Sequence, residues 1–583
     1  MNLKHRLSIA ITATILTAGA LYAAFQTATP TPTPLSAFVP QGSLLSIESP
    51  NFAALLTSWN NSAEQRTWLT SDNYAAFSRS RLFSRLSDAQ DQFATSAGLP
   101  PDMEFLQQIA GKQSIFAWYD IGNLQFLYIT RMSSAAAQQT QLLQLRSKFQ
   151  LRKAGDDTFY LRTQGEPERT VAFATHGNYL LLATREDLLA NALLLMQHPT
   201  DASLHTEPWY TTSTAAATPS ATPPNLRMTL NLTRILPTPY FRSYWVQQNI
   251  TELKQFTAAI SDLYLTPQNS SDKTFREERT LIPAAPDTTL PTTDLAPILQ
   301  LLPANSGVYR ATAQPTTATI LAILEDKLLS RTPSNYRDQH IAPVADLSTP
   351  NPGSATDLDT RIDTLPVPSQ PLAAALTPLR TLLDAAPPTA MLVYASTTGA
   401  TSPDPLFLPV HNAVVLSSTT PWNPEAIKSA LTTALSPHLT VGATGITWQT
   451  SPQNPAVYQL TGLQPLAFTI QGNHCILATD PETLTQFLHP TSTTPKPITA
   501  STIAGFHHTT ERTNLTHLTR ILDHTASTTP ADDSSPAFFS RNLVSLSDTF
   551  QALDSETFTE APTPATPQQP ATIHQTVLYQ WHP

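Results

Sequence analysis

The chain has 583 residues, beyond the roughly 250–300 at which a single core stops growing, so two domains are expected. Its 52 prolines are many and its 16 glycines few, with 41% hydrophobic and 13% charged residues; that balance excludes a wholly disordered chain and argues against glycine-built phosphate loops. A net charge of −10 disfavours nucleic acid as a partner, because phosphate binding calls for a basic surface.

Lys4 and Arg6 precede an uncharged stretch from Leu7 to Phe25, long enough as a helix to span the hydrocarbon of a bilayer. Two readings stand. An uncleaved anchor accounts for the apolar character continuing through Leu21, Tyr22 and Phe25, and a cleaved secretory signal accounts for the A-x-A pattern Ala18-Gly19-Ala20. Either one sends the bulk of the chain out of the cytoplasm, into the cell envelope if anchored in the inner membrane or into the medium if released. Ala28 to Leu35 then alternates threonine with proline, a stiff, extended spacer.

The body carries an internal duplication. Val171–Thr184 (VAFATHGNYLLLAT) aligns with Leu466–Thr479 (LAFTIQGNHCILAT) at an offset of 295 (466 − 171). Each copy reads strand, Gly-Asn, strand, the Gly-Asn pair being a two-residue hairpin signal. Thr184 with Asp187, and Thr479 with Glu482, then predict capped helices over Leu188–Met196 and Leu484–Leu488. Around the hairpins, the segment from Pro40 to Ile47 matches that from Pro303 to Tyr309 as an opening strand. Phe52, Leu55, Leu56 and Trp59 form a helical stripe, with Ser49 and Pro50 as cap and first turn, and Ile320, Ile323, Leu324 and Leu328 form its counterpart. Phe256-Thr-Ala258 pairs with Phe550-Gln-Ala552 near the end of each half. Ser114–Tyr119 and Leu124–Arg131 are strands turning at Ile121-Gly-Asn123, and Asn423 caps a helix with core face Ile427, Ala430, Leu431 and Leu435.

These elements predict an α+β fold: two tandem related lobes of mostly antiparallel sheet packed with helices, preceded by an N-terminal hydrophobic helix. The expected divisions are 1–27 anchor or signal, 28–36 spacer, 37–285 first lobe and 286–583 second lobe. Proline-rich stretches at 215–224, 283–291, 333–356, 490–497, 525–536 and 562–570 read as joints and loops. No glycine fingerprint of a doubly wound nucleotide fold occurs.

The strong catalytic signatures are absent from the sequence. His507, His508 and Glu511, with His517 and His524 beyond, form the densest histidine region, but zinc spacings are missing and Leu515, Leu518, Ile521 and Leu522 make an apolar helix face there. Asp357, Asp359 and Asp363 surround Arg361, which opposes a cation, and the glycine turn of a calcium loop is lacking. Cys475, the single cysteine, sits in an apolar run beside His474; neighbours in a strand point to opposite faces, so packing is expected of it. Trp118 and Tyr119, with Tyr240, Phe241, Tyr244 and Trp245, are aromatic residues for either the core or a groove that takes a peptide, glycan or lipid.

The exported start, the opening strand after Phe38-Val-Pro40, the helix over Phe52 to Trp59 and the Gly177-Asn178 hairpin with its helix resemble an uncharacterised bacterial family anchored in the cell envelope (domain-of-unknown-function family 3352). The resemblance covers most of residues 36–285 and implies no activity, cofactor or catalytic residue. The function expected from the sequence is therefore a non-catalytic interaction or structural module of the envelope, with no catalytic, cofactor or metal residues assigned and no cofactor. Its partners would be the membrane, through the leader, and an envelope protein or component. The alternatives are a carrier enclosing an apolar ligand between two lobes, or a hydrolase using the His507/His508/Glu511 region.

Overall fold

The computed structural model describes residues 33–238, 253–265, 274–285, 290–329, 374–397, 410–439, 446–460, 465–488, 496–508, 511 and 553–581, a few positions within them excepted. The leader lies outside these residues. Among them no helix is long and apolar enough to cross a membrane.

The first half contributes ten strands to the main sheet: β1 (Leu45–Ser49), β2 (Ser114–Asp120), β3 (Gln125–Arg131), β4 (Gln150–Ala154), β5 (Asp157–Gln164), β6 (Arg169–His176), β7 (Tyr179–Ala183), β8 (Leu226–Asn231), β9 (Phe256–Leu265) and β10 (Thr274–Pro283). After the short β11 (Thr293–Asp294) the second half adds β12 (Val308–Ala313), β13 (Ala390–Thr397), β14 (Val410–Ser417), β15 (Gln449–Thr450), β16 (Val457–Leu460), β17 (Leu466–Gln471) and β18 (His474–Ala478). Beyond β19 (Thr499–Ala500), which pairs with β11, come β20 (Thr502–His507), β21 (Leu553–Thr563) and β22 (Thr572–Trp581).

All the pairings are antiparallel, and they order the strands 4-5-6-7-3-2-1-8-9-10 in the first half. β10 then pairs with β22, and the second half runs 22-21-20-12-13-14-18-17-16-15. The second list is the first in reverse, strand for strand. Register agrees with order: Ala172 faces Ala183 as Ala467 faces Ala478. Carried across successive pairs, the equivalence joins Ser46 to Tyr309, Thr229 to Gly505, Ile260 to Thr557 and Thr280 to Leu578. At the β10–β22 seam Arg276 faces Leu578 and Thr280 faces His574, pairs that exchange under the same equivalence, so a local two-fold axis passes between the two strands. Phe256 thereby corresponds to Leu553; the Phe550 that spacing matches to it lies outside the described residues.

Local chemistry accounts for the hairpins. Gly177 and Gly472 sit at φ +55 and +59, and a Cβ added to either would meet nothing within 4 Å, so backbone conformation, rather than space, calls for glycine there. The predicted caps are different in the structure. The helix Glu186–Gln197 starts after Arg185, which makes no side-chain cap bond, and the helix Pro481–Phe487 starts after Asp480, whose carboxylate accepts from Thr483 N–H. Thr184 instead accepts from Phe126 N–H and donates to the Leu124 carbonyl, and Thr479 accepts from Asn412 N–H. Both threonines join neighbouring strands, and neither is left to cap.

Helices cover both faces of the sheet. On the front lie α1 (Phe52–Asn60), which α2 (Ala63–Leu69) follows and contacts, α3 (Arg81–Ala97) and α4 (Met103–Ile109); on the back, α5 (Glu186–Gln197) and α6 (Pro208–Ala216). In the second half α7 (Thr317–Leu324), α8 (Thr377–Ala385) and α9 (Pro424–Leu439) cover the front, and α10 (Pro481–Phe487) the back. The α9 face of Ile427, Ala430, Leu431 and Leu435 is buried, and Asn423 caps the helix as its sequence predicts. Asn51, not Ser49, caps α1; Ser49 ends β1 with its hydroxyl on the Asn225 carbonyl.

Two proline-based boundaries move. Leu35–Phe38 is a 3-10 turn with Leu35 and Ser36 buried in the back core, so the chain packs before the expected spacer ends. Pro562 lies within β21 opposite Ile573, beyond Glu560, where pairing to β20 stops and a missing N–H costs no ladder bond. Cys475 is fully buried in the front core of the second half, and burial pushes its thiol up to about 12.

Candidate functional site

The front face of the first half is built to be aromatic. Alternation along β2 and β3 brings Phe116 and Trp118 beside Tyr128 and Phe126. Phe116 stacks on Phe126 at 4.7 Å between ring centres, and Trp118 meets them edge-on or tilted at 5.1 and 5.6 Å. Above this floor Phe52 and Leu55 of α1, Leu86, Ala89 and Phe93 of α3, and Phe105 and Ile109 of α4 form the walls of a groove of about 790 Å³. That volume lies within the ~300–1,000 Å³ range of small-molecule sites. Every residue lining it falls between Ile47 and Leu226, so the groove belongs to the first half and does not lie between the halves.

Polar groups collect where β2 turns into β3. Arg169 donates to the Gln92 side-chain oxygen at 2.7 Å and to the Asn123 carbonyl at 2.8 Å, and Glu168 stands next to it. Arg185 is paired to Asp187 and reaches Gln125. Leu124, at the same rim, is held at φ +54, a left-handed conformation costing an L-residue roughly 1–2 kcal/mol, while its carbonyl accepts the Thr184 hydroxyl. Tyr128 is tied to Ser114 and the Ile109 carbonyl, and burial raises its pKa. The described lining contains no histidine or cysteine. Its hydroxyls at Ser49, Ser114 and Thr184 bond backbone carbonyls or a neighbouring hydroxyl.

The corresponding positions of the second half carry no aromatic floor, and a helix packs down on that face. Register equates Phe116, Trp118, Phe126 and Tyr128 with Val393, Ala395, Asn412 and Val414. α7, the counterpart of α1, buries Ile320, Leu321 and Leu324, whereas α1 buries no residue at all. An apolar helix stripe has thus found packing partners in one copy and a groove in the other.

Of the candidates read from sequence, Trp118 lies in the groove. Tyr119 points to the opposite face, where its hydroxyl donates to the Pro40 carbonyl at 2.6 Å. Tyr240, Phe241, Tyr244, Trp245, Asp357, Asp359, Arg361, Asp363, His517 and His524 lie outside the described residues. Glu511 accepts from Ser396 and Thr397 at the end of β13, and His508 packs edge-on against Phe506. His474 bonds Ser417 at 2.7 Å. Among the described residues no group of three or more His, Cys, Asp or Glu is placed to hold a metal ion.

A polar network on the back face has no sequence signal. Arg227 pairs with Asp262 through two bonds of 2.7 Å, Glu48 lies opposite Arg227 across the β1–β8 pair, and the Tyr210 hydroxyl donates to Glu48 at 2.6 Å. Its members come from β1, α6, β8 and β9, and β12 and β20 carry Ala311 and Ile503 in place of Glu48 and Arg227. Burial pushes the Glu48 carboxyl pKa up, the Tyr210 bond and Arg227 charge pulling the other way. Unfolded, Glu48 titrates near 4.5. Between that value and the raised one the folded state keeps a proton the unfolded state has lost, so stability falls as pH rises through the window. A Glu48→Gln variant is therefore expected to gain on the wild type as pH climbs above 4.5 and then to level off. Urea midpoints over a pH series measure this, and a difference that stays constant with pH excludes it.

The chain matches no family model, no curated protein and no solved structure.

Proposed function

We propose that the protein is a non-catalytic binding module of the cell envelope, carried outside the cytoplasm by its leader, and that its first lobe holds one apolar ligand in the aromatic groove. The observation that carries this reading is the contrast between equivalent faces of the two halves: one packed by α7, the other left open under α1. Leaving rings such as Phe116, Trp118 and Phe126 without a packed cover forfeits apolar burial worth about 25 cal/mol per Å², and a bound apolar molecule supplies that cover. The second lobe, packed on both faces, serves as scaffold.

The test replaces the groove floor with its counterparts from the second half, Trp118→Ala together with Phe126→Asn. Full-length protein is reconstituted in lipid nanodiscs, released, and weighed by native mass spectrometry. Wild type is expected to retain one lipid-sized adduct and the double variant to lose it. A wild type without an adduct, or a variant carrying the same one, overturns the proposal.

A further inference from the structure

The helices over the groove carry more apolar surface than the groove uses. Trp59, Leu69 and Leu86 are 45%, 47% and 46% exposed. They sit on α1, α2 and α3, and Leu86 also lines the groove, so exposed apolar surface on α3 continues into the site. Trp68, Tyr74, Phe77 and Phe83 of the same stretch gather in edge-on and tilted ring contacts. Arginine outnumbers acid in this stretch. Residues 59–86 hold four arginines (Arg66, Arg79, Arg81 and Arg85) against two acids (Glu64 and Asp72), in a protein of net charge −10. Arg66 and Arg79 are exposed, and Asp88 and Asp91 follow only on the later turns of α3.

Tryptophan and leucine exposed on short amphipathic helices among arginines are the composition of a segment lying at a bilayer interface, with apolar side chains inserted and guanidiniums on anionic headgroups. We infer that α1, α2 and the start of α3 dock on an anionic lipid surface, and that the groove takes its ligand, a lipid acyl chain, from that surface past Leu86. The inference rests on the reading of the groove as a site for an apolar ligand. Two features select lipid over a protein partner: arginines outnumber acids around the exposed apolar residues although the whole chain is acidic, and the exposed Leu86 is itself part of the cavity wall.

The experiment places a dye at Asn60→Cys, next to Trp59. Cys475, the single native cysteine, is buried with its thiol pushed up to about 12, so labelling is confined to the new site. The labelled full chain is reconstituted in nanodiscs of phosphatidylcholine alone or with phosphatidylglycerol, each doped with nitroxide-bearing lipid. Quenching and a blue shift of the dye are expected in the phosphatidylglycerol discs, weaker in neutral discs and reduced by salt. Trp59→Ser with Leu69→Ser, at exposed positions where substitution rarely unfolds a protein, is expected to remove the quenching. Unquenched dye in both disc types, or quenching indifferent to those substitutions, overturns the docking surface. The lipid adduct seen by native mass spectrometry separates the two claims: an adduct without quenching sinks the surface alone, and quenching without an adduct sinks the groove.

Discussion

Arg227→Leu is expected to be the most damaging single substitution on the back face, costing about 3–5 kcal/mol of stability. The reason is what stays behind. The Asp262 side chain is 3% exposed and has Arg227 as its bidentate partner at 2.7 Å, with Glu48 facing the same arginine and Glu278 opposite Asp262 across β9–β10. Removing the guanidinium leaves a buried carboxylate among other carboxyls, which must then take up a proton or draw in water. Replacing both members of the pair, Arg227→Leu with Asp262→Leu, is expected to recover the part of the loss due to the orphaned Asp262 carboxylate, leaving the smaller cost at Glu48, which also faces Arg227. Urea denaturation of the two variants gives the comparison; a single variant as stable as wild type would show that the pair carries no such weight.

The second large effect is expected at Phe173 and Phe468, which occupy equivalent places. Phe173 is fully buried, stacked on Tyr160 at 5.2 Å and met edge-on by Phe149 at 4.9 Å. Phe468 repeats the arrangement with Tyr458 at 4.8 Å and Trp448 at 5.2 Å. Truncation to alanine at either site is expected to cost about 3–5 kcal/mol, the transfer term plus the cavity left by a ring held between two others. Because the sites share no partners, the double variant should lose the sum of the two. Thermal and urea unfolding of the three proteins test this, and strong non-additivity would mean that the halves respond as one packed core.

Repeated local chemistry made half of this architecture legible. The Gly177-Asn178 and Gly472-Asn473 hairpins, their flanking strands and the helices after them are written in short-range signals. Longer-range features were less accessible. β2 and β3 alternate large apolar residues as any buried strand does, so Phe116, Trp118 and Phe126 carried no mark of whether a helix would fill the space above them. Openness there depends on α1 and α3 arching over the sheet, a matter of tertiary geometry. Tyr119 drew notice beside Trp118, yet adjacent strand residues face opposite ways. The Glu48–Tyr210–Arg227–Asp262 network joins residues more than 160 positions apart (210 − 48), which no local pattern reports. Thr184 and Thr479 misled as helix caps because a threonine hydroxyl serves a strand neighbour as readily as a helix end.

The β10–β22 junction has a consequence for a half-length chain. A polypeptide ending soon after Pro283 would retain nine strand neighbours in place and expose the whole outer rim of β10, with Arg276, Glu277, Glu278 and Arg279 along it. The mirror-like exchange of partners at that junction shows which surface fits the vacant rim: the same rim on another molecule, turned end for end. Covalent fusion makes that self-association intramolecular and permanent. It also frees each copy from having to match the other, the condition under which one sibling can keep an open hollow while the other closes it.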